Sequence, residues 1–363
     1  MSTPDRMTPG GIAVTLGIGA LGGALAWLLM LPLPWLLGAL LATAVVAQSG
    51  LKPLGLSILL PGSIRARTLP IIGVAIGATF TPEIVAQLTR WWPTALALSA
   101  FLPVAMASGY AVFRLGGMSM LDSVYGALPG GMIESTQLAE EAGADPATVT
   151  VLHLVRIVGT LVAIPPIFLV LTGEWAGRAT GMVVPGGAPA GTAWELLFLL
   201  VIAAVGYVIA GRLRLPAAHI VGPLILSALA YGTGLIRGLP PDWLVAGAQV
   251  IVGSGLGAKF AGVSRRLLWQ VAGLSLINAL ILIALALGLA ALMGEVVGQP
   301  TGTVFLAFAP GGLAEMSLIA LSVGVSIPFV MTHHLLRVVL SLVIARVVSH
   351  RLALGRGGVG RSD

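Results

Sequence analysis

The chain has 363 residues, of which 57% are hydrophobic and only 9% are charged, and its mean hydropathy is +1.03. A soluble domain carries roughly 25% charged residues, so this composition excludes a soluble protein and requires lipid as the solvent. The net charge of +6 does not indicate nucleic-acid binding, because the basic residues are scattered between apolar runs and form no basic stripe. The first apolar run, 11–30, is too long for the core of a typical signal peptide, so we predict an uncleaved first span.

Apolar runs of membrane-spanning length recur along the whole chain. A helix needs ~20 apolar residues to cross ~30 Å of hydrocarbon. By this measure the sequence predicts an all-α membrane protein with about ten transmembrane helices. They are expected at 11–30, 33–50, 68–86, 92–114, 147–171, 192–211, 217–235, 244–262, 267–293 and 327–349.

Two further segments, 119–142 and 301–324, lie before the fifth and the tenth span, and each is interrupted by Pro-Gly-Gly. Pro removes a backbone donor and Gly permits positive φ, so each segment is predicted to be broken. Backbone groups freed inside a membrane are tolerated only within protein or along a water-filled cavity. A helix that begins after the break would direct its N-terminal amides at this place, where they favour an anion.

The residue types that are rarest in membrane segments occur twice at one spacing. Residues 128–167 and 309–348 align without a gap, and a second match pairs GVAIGATF with GSGLGAKF. The Gly-x-x-x-Gly runs in that second match favour close packing of helices. The alignment predicts a duplicated chain. Its parts are a first repeat (1–171), a connector (172–191), a second repeat (192–349) and a cytoplasmic tail (350–363).

Positive charges predict the orientation of the spans. With the N-terminus in the cytoplasm, the spacers at 212–214 and 265–266 also lie inside if each Pro-Gly-Gly segment re-enters the membrane without crossing it. The excess of Arg and Lys in cytoplasmic loops therefore favours two inverted repeats of five spans, each with one re-entrant segment. Both termini are then cytoplasmic.

Two arginines are predicted to lie deep in the membrane. Arg156 and Arg337 each lie about nine residues, or ~14 Å, into a predicted span. A charge at that depth costs at least ~2.5 kcal/mol and must face protein or water. His153 and His334 each precede an arginine by three residues, which places each pair on one helix face.

The predicted site combines these residues with the two breaks. For substrate binding we predict the two Pro-Gly-Gly motifs and the arginines; for proton or ion coupling we predict two glutamates and the histidines. The binding set is Pro129, Gly130, Gly131, Arg156, Pro310, Gly311, Gly312 and Arg337, and the coupling set is Glu134, His153, Glu315 and His334.

Structural roles remain open for the same residues. The glutamates and arginines could form ion pairs that hold helices together, either within or between the repeats. Glu134 and Glu315 could instead satisfy the helix ends that follow the breaks, because a carboxylate is favoured in a first helical turn.

No catalytic set is visible in the sequence. There is no Cys, no phosphate-binding Gly-Lys-Ser/Thr motif, no His-Glu-x-x-His and no cluster of metal ligands. We therefore expect neither an enzyme nor a cofactor nor a bound metal.

The twin motifs LPGGMIES and APGGLAEMS, each followed by a span with His-x-x-Arg, resemble the bacterial AbrB-duplication membrane proteins. The resemblance covers nearly the whole chain and implies a location in the bacterial inner membrane. Members of that family bear names of transporters, regulators or ammonia monooxygenase. The sequence shows no set of copper or iron ligands that would support the name oxygenase. It also shows no DNA-binding element that would support the name regulator.

Two hypotheses about function follow. The first is a secondary transporter of a small, anionic solute, coupled to protons or a cation, because inverted repeats with broken segments and midplane charges are the plan of such proteins. The alternative is a membrane-embedded sensor or regulatory protein that binds a ligand without transporting it. The expected partners are the lipid bilayer and a small solute, not nucleic acid, and assembly into a homo-oligomer is left open.

Overall fold

The computed structural model describes residues 8–80, 82–173 and 191–357, without the side chains at 82–83, 85, 133–134 and 350–357. Most of the predicted connector and the end of the predicted tail lie outside the described residues. Within the described ranges the chain is helical and has no β-strand. The helices are α1 (Pro9–Leu28), α2 (Ala39–Ser49), α3 (Gly62–Gly77), α4 (Pro82–Gln87), α5 (Trp92–Leu115), α6 (Met120–Gly126), α7 (Met132–Ala142), α8 (Pro146–Thr172), α9 (Ala193–Arg212), α10 (Ala218–Gly232), α11 (Asp242–Ala258), α12 (Arg265–Val297), α13 (Thr301–Phe308), α14 (Leu313–Ser322) and α15 (Ile327–Gly357).

Six helical stretches in the described part are long and apolar enough to cross a membrane. They confirm a helical protein of the membrane type. The four other predicted spans are shorter helices here, so the count of ten and the inverted relation of the repeats stay predictions. The six are Pro9–Leu28, Leu88–Leu115, Pro146–Thr172, Ala193–Arg212, Arg265–Val297 and Ile327–Ser349.

The bounds of one predicted span, 68–86, are wrong. The helix there, α3, begins at Gly62 and ends at Gly77, and a separate helix begins at Pro82. Pro82 is the first residue of that second helix, where its missing N–H and fixed φ are tolerated.

The described residues group into two compact units, and each unit draws on both predicted repeats. The first unit comprises Met1–Leu88, Pro165–Val263 and Ser317–Pro328. The second comprises Thr89–Ile164, Ser264–Met316 and Phe329–Asp363. The boundaries of the units therefore differ from those of the sequence repeats, which stay a prediction.

Helices of the first unit approach each other closely at glycines. A Cβ atom added to Gly73 of α3 would lie 2.6 Å from the carbonyl oxygen of Ile220 in α10. In the same way, a Cβ added to Gly257 of α11 would lie 2.5 Å from the carbonyl oxygen of Leu40 in α2. The Gly-x-x-x-Gly runs thus lie at close helix contacts, each between one helix of the first half and one of the second.

Unusual backbone conformations in the first unit also recur at a fixed spacing. Leu33 and Ala217 both have positive φ (46° and 49°), and each stands just before the start of a helical segment. Met30 and Arg214 form a second pair with positive φ, 56° and 53°, at the same spacing of 184 residues. Non-glycine residues adopt this conformation rarely, so its recurrence supports the duplication.

The second unit shows the duplication in its helix starts. Three pairs of helices begin 181 residues apart: α6 with α13, α7 with α14, and α8 with α15. In each half a short helix, the Pro-Gly-Gly break and a second short helix follow one another. At 1.5 Å per residue these short helices measure ~10 to 17 Å, which is too short for any one of them to cross the bilayer alone.

Candidate functional site

Helices α8 and α15 place the predicted arginines and histidines at equivalent depths in the second unit. Arg156 and Arg337 each lie ten residues after the first residue of their helix. This corresponds to ~15 Å along the helix axis. All four side chains are buried, with exposed fractions of 1% for His153, 6% for Arg156, 0% for His334 and 2% for Arg337.

In the first half, His153 and Arg156 bind the segment that leads into the break. The Nη2 atom of Arg156 donates to the carbonyl oxygen of Leu128 (3.0 Å) and to Nδ1 of His153 (2.8 Å). Because a guanidinium only donates, Nδ1 of His153 is the acceptor and carries no proton. The other ring nitrogen, Nε2, therefore donates to the carbonyl oxygen of Tyr125 (3.0 Å).

The second half repeats these bonds. Arg337 donates through Nη1 to the carbonyl oxygen of Ala309 (2.7 Å) and through Nη2 to Nδ1 of His334 (2.7 Å). Nε2 of His334 donates to the carbonyl oxygen of Leu306 (2.9 Å). Arg337 additionally donates to the carbonyl oxygen of Gly311. The shared contacts join residues 28 positions apart in both halves, so the site is duplicated together with the sequence.

The carbonyls that the arginines bind lack helical hydrogen-bond partners because of the breaks. Leu128 and Ala309 stand directly before the two prolines, where no helix partner completes their hydrogen bonding. Buried carbonyls without a partner are unfavourable, and a guanidinium with several donors can satisfy them. Each arginine is thus positioned by the break that it stabilises.

The glycines of the breaks accommodate close neighbours. A Cβ added to Gly130 would lie 2.5 Å from Cβ of Ser341, which is one turn beyond Arg337 on α15. Gly131 has φ 24° and directly precedes α7. A Cβ added to Gly311 would lie 2.8 Å from Cγ of Met316.

The two predicted glutamates occupy equivalent third positions of α7 and α14. Glu315 is 3% exposed, and its carboxyl carbon would lie 2.9 Å from a Cβ added to Gly312. The carboxylate therefore folds back toward the N-terminus of α14, where a negative charge is favoured. The side chain of Glu134 lies outside the described residues.

Both arginines and both prolines of the breaks line one small cavity. Its volume is about 10 Å³, which is about the space that the centre of one water molecule needs. The remaining lining residues are apolar: Phe101, Ala105, Leu282 and Phe308. The buried Nη1 of Arg156 and the buried Nε of Arg337 have no hydrogen-bond partner.

Sequence reasoning missed two polar residues of this unit. The amide of Asn278 on α12 is fully buried and has no hydrogen-bond partner, and it lies one turn before the cavity residue Leu282. The hydroxyl of Ser341 is also buried and without a partner. A lone Asn inside a long apolar run was the signal that could have identified Asn278.

In the part of the chain that the structure describes, no three His, Asp or Glu side chains cluster closely enough to hold a metal ion. The polar groups of the site are guanidinium, imidazole, amide, hydroxyl and the carboxylate of Glu315. The guanidinium groups are suited to binding an anion through hydrogen bonds.

The fold and this site define a helical protein of the membrane type with a pair of buried arginines beside two Pro-Gly-Gly breaks. A family model described as "Transition state regulatory protein AbrB" matches residues 51–353. The chain belongs to the AbrB family, as the twin motifs predict.

Two relatives match nearly end to end. The Bacillus subtilis (strain 168) protein named "Uncharacterized protein YhjN" is 26% identical over 355 residues, which cover 91% of this chain and 90% of that protein. The Escherichia coli (strain K12) protein named "Putative regulator AbrB" is 25% identical over 325 residues, which cover 88% of this chain and 91% of that protein.

Proposed function

We propose that this protein is a secondary transporter that moves a small anionic solute across the bacterial inner membrane. The observation that carries the proposal is the small cavity lined by Arg156 and Arg337, two buried arginines that each keep one N–H without a protein partner. Buried arginines beside broken helices of a duplicated membrane protein are the arrangement from which midplane sites of secondary transporters are built.

The residues divide into three roles in this proposal. Arg156 and Arg337 bind the negative group of the solute, because a guanidinium offers several donors in a fixed plane. His153 and His334 border the path and hold the arginines in place through Nδ1. Glu134 and Glu315 carry the coupling proton or cation at the first turns of α7 and α14.

Transport requires that the cavity change its size. An organic anion needs far more space than about 10 Å³, so the solute binds only after the walls move apart. Alternating access in such proteins exposes a fixed site first to one side and then to the other. The Pro-Gly-Gly breaks supply two places in the second unit where the backbone can change direction.

Uptake into liposomes tests the proposal. We expect purified protein to move at least one radiolabelled small organic acid, and we expect Arg156→Gln and Arg337→Gln to lower the rate at least tenfold. Each change removes a guanidinium that can contact the solute. Arg114→Gln is the matched control, because Arg114 lies exposed at the end of α5 and donates to the carbonyl oxygen of Met118.

The alternative is a sensor that binds the anion without moving it. The name of the Escherichia coli relative, which includes the word regulator, favours this second candidate. Binding of an organic acid that depends on both arginines, together with no uptake into liposomes, would replace the transporter by the sensor. In either case we expect no enzymatic reaction, no cofactor and no nucleic acid, and the bilayer and the solute are the partners.

A further inference from the structure

The cavity between Arg156 and Arg337 is lined by side chains that donate hydrogen bonds and by none that accepts them. Of the eight lining residues, only the two arginines carry polar side chains, and a guanidinium donates but never accepts. Nη1 of Arg156 and Nε of Arg337 are buried and bind no protein acceptor. The side chains of the cavity wall therefore favour an occupant that accepts hydrogen bonds.

An anion fits the side chains of this wall better than water does. A water molecule brings two O–H donors of its own, and the wall offers them at most backbone carbonyls, because no lining side chain accepts a hydrogen bond. The charges at the cavity favour an anion as well, because two buried guanidinium groups repel each other where the dielectric constant is low. Glu315, the buried carboxylate of the site, lies against Gly312 and is not among the residues that line the cavity. The histidines add no positive charge, since Nδ1 of each accepts from an arginine and carries no proton.

The size of the cavity limits the anion to one of about atomic dimensions. A volume of about 10 Å³ is enough for the centre of a single particle of roughly the size of water. Carboxylates such as acetate have several heavy atoms and need wider walls. A halide ion needs only a small outward movement of the lining side chains.

We propose that the cavity between Arg156 and Arg337 binds a single monovalent anion of halide size, which the organic anion must displace in order to bind. This inference rests on the proposed function for the displacement step alone. The binding of the halide itself follows from the cavity, its donors and its charge. In the resting state of the protein the small ion then occupies the cavity.

Thermal unfolding in chloride-free buffer tests this inference. The purified protein in detergent is held at constant ionic strength with sodium gluconate, and gluconate is replaced stepwise by bromide, chloride or acetate. A ligand that binds only the folded state raises Tm with the logarithm of its concentration once it exceeds Kd. We expect bromide and chloride to raise Tm in this way and acetate to raise it only at much higher concentration.

The arginine variants locate the effect. Arg156→Gln and Arg337→Gln should lose the response to bromide, whereas Arg114→Gln should keep it. If the glutamine variants do not fold, Arg337→Lys keeps the charge but loses the planar fork, and its response should shift to higher bromide concentration. Crystals grown in bromide should in addition show an anomalous peak within hydrogen-bond distance of Nη1 of Arg156.

Two results would overturn the inference: equal Tm values in bromide and gluconate, or a bromide response that both glutamine variants retain. Liposome uptake separates this failure from failure of transport. If bromide raises Tm but no organic acid is taken up, the halide inference holds and the transporter proposal is wrong. If organic acid is taken up, bromide does not change that uptake and bromide does not raise Tm, the transporter proposal holds and the halide inference is wrong.

Discussion

Each buried histidine of the site forms hydrogen bonds through both ring nitrogens. Its ring therefore links an arginine to a backbone carbonyl at a fixed distance. Nδ1 of His334 accepts from Arg337, and Nε2 donates to the carbonyl oxygen of Leu306. The sequence predicts that His and Arg share a helix face, because their separation of three residues requires it. It does not predict the carbonyl partner, which lies 28 residues away and comes into contact only through the fold.

We expect His334→Leu to destabilise the protein considerably and His334→Gln to destabilise it much less. Leucine leaves the Leu306 carbonyl and one donor of Arg337 without partners, at about 1–3 kcal/mol for each buried group. Glutamine offers both an acceptor and a donor. Thermal unfolding in detergent of the two variants measures the difference, and equal Tm values for both would show that these bonds do not stabilise the fold.

Among the elements, α11 shows most clearly why only some helix glycines are required. Gly257 and Gly247 lie on the same helix, but a Cβ at Gly257 meets the carbonyl oxygen of Leu40 and a Cβ at Gly247 meets nothing within 4 Å. The repeated Gly-x-x-x-Gly pattern predicts a packing face from sequence. The partner helix was not predictable, because the pattern on α11 carries no information about which helix approaches it.

We therefore expect Gly257→Ala to lower Tm by several degrees and Gly247→Ala to leave it unchanged or to raise it. The first change forces α11 away from α2, whereas the second removes a flexible residue from a helix and gains about 0.5–1 kcal/mol. Both variants are compared with wild type by thermal unfolding. A loss of stability at Gly247 equal to that at Gly257 would contradict the packing argument.

The N-terminus of α8, the helix that carries Arg156, is fixed by a carboxylate. Asp145 accepts from the hydroxyl of Thr148 (2.5 Å) and from the backbone N–H groups of Thr148 (3.1 Å) and Ala147 (3.2 Å). The hydrogen bond from the Thr148 side chain, followed by those from the backbone, lowers the pKa of Asp145 below its ordinary value. The span predicted from the sequence begins at residue 147, and the capping role of Asp145 follows only from the observed start of the helix at Pro146.

We expect Asp145→Ala to destabilise the protein by about 0.5–2 kcal/mol at neutral pH, as for other N-cap substitutions. Because the folded pKa is lowered, this stabilisation is present above the unfolded pKa and is lost as the pH falls through the folded pKa. Unfolding of wild type and variant at pH 7 and near pH 3 should show the difference shrinking in acid. A difference that is the same at both pH values would assign the effect to something other than the carboxylate charge.

On the scale of the whole molecule, the two compact units do not follow the two repeats. The offset between repeats predicts which residues are equivalent, and Arg156 and Arg337 each donate to the carbonyl oxygen 28 residues before them. It does not predict which copies of the helices pack together, because either pairing satisfies the same hydrophobic pattern. The sequence therefore predicts the elements of the site more completely than it predicts the architecture that holds them.

We expect reporter fusions after Gly298 and after Arg356 to report opposite sides of the membrane. Between these points the chain contains α13 and α14, of eight and ten residues, and one helix of spanning length, α15. If α13 and α14 enter and leave on the same side, only α15 crosses. Fusions that report the same side would show that the two short helices together cross the bilayer, which would remove the inverted relation of the repeats.

The contacts of α3 with α10 and of α11 with α2 have a consequence for the origin of the chain. Both contacts join one half of the sequence to the other, and in both the glycine-bearing helix lies against backbone of the opposite half. A half-length ancestor with the same helices could have covered these surfaces only by pairing with a second copy of itself. If the chain arose by duplication as predicted, joining two copies in one gene turned that association, which depends on protein concentration, into a contact between segments tethered to each other. It also left each copy free to diverge, so that His333 now stands where the first half has Leu152.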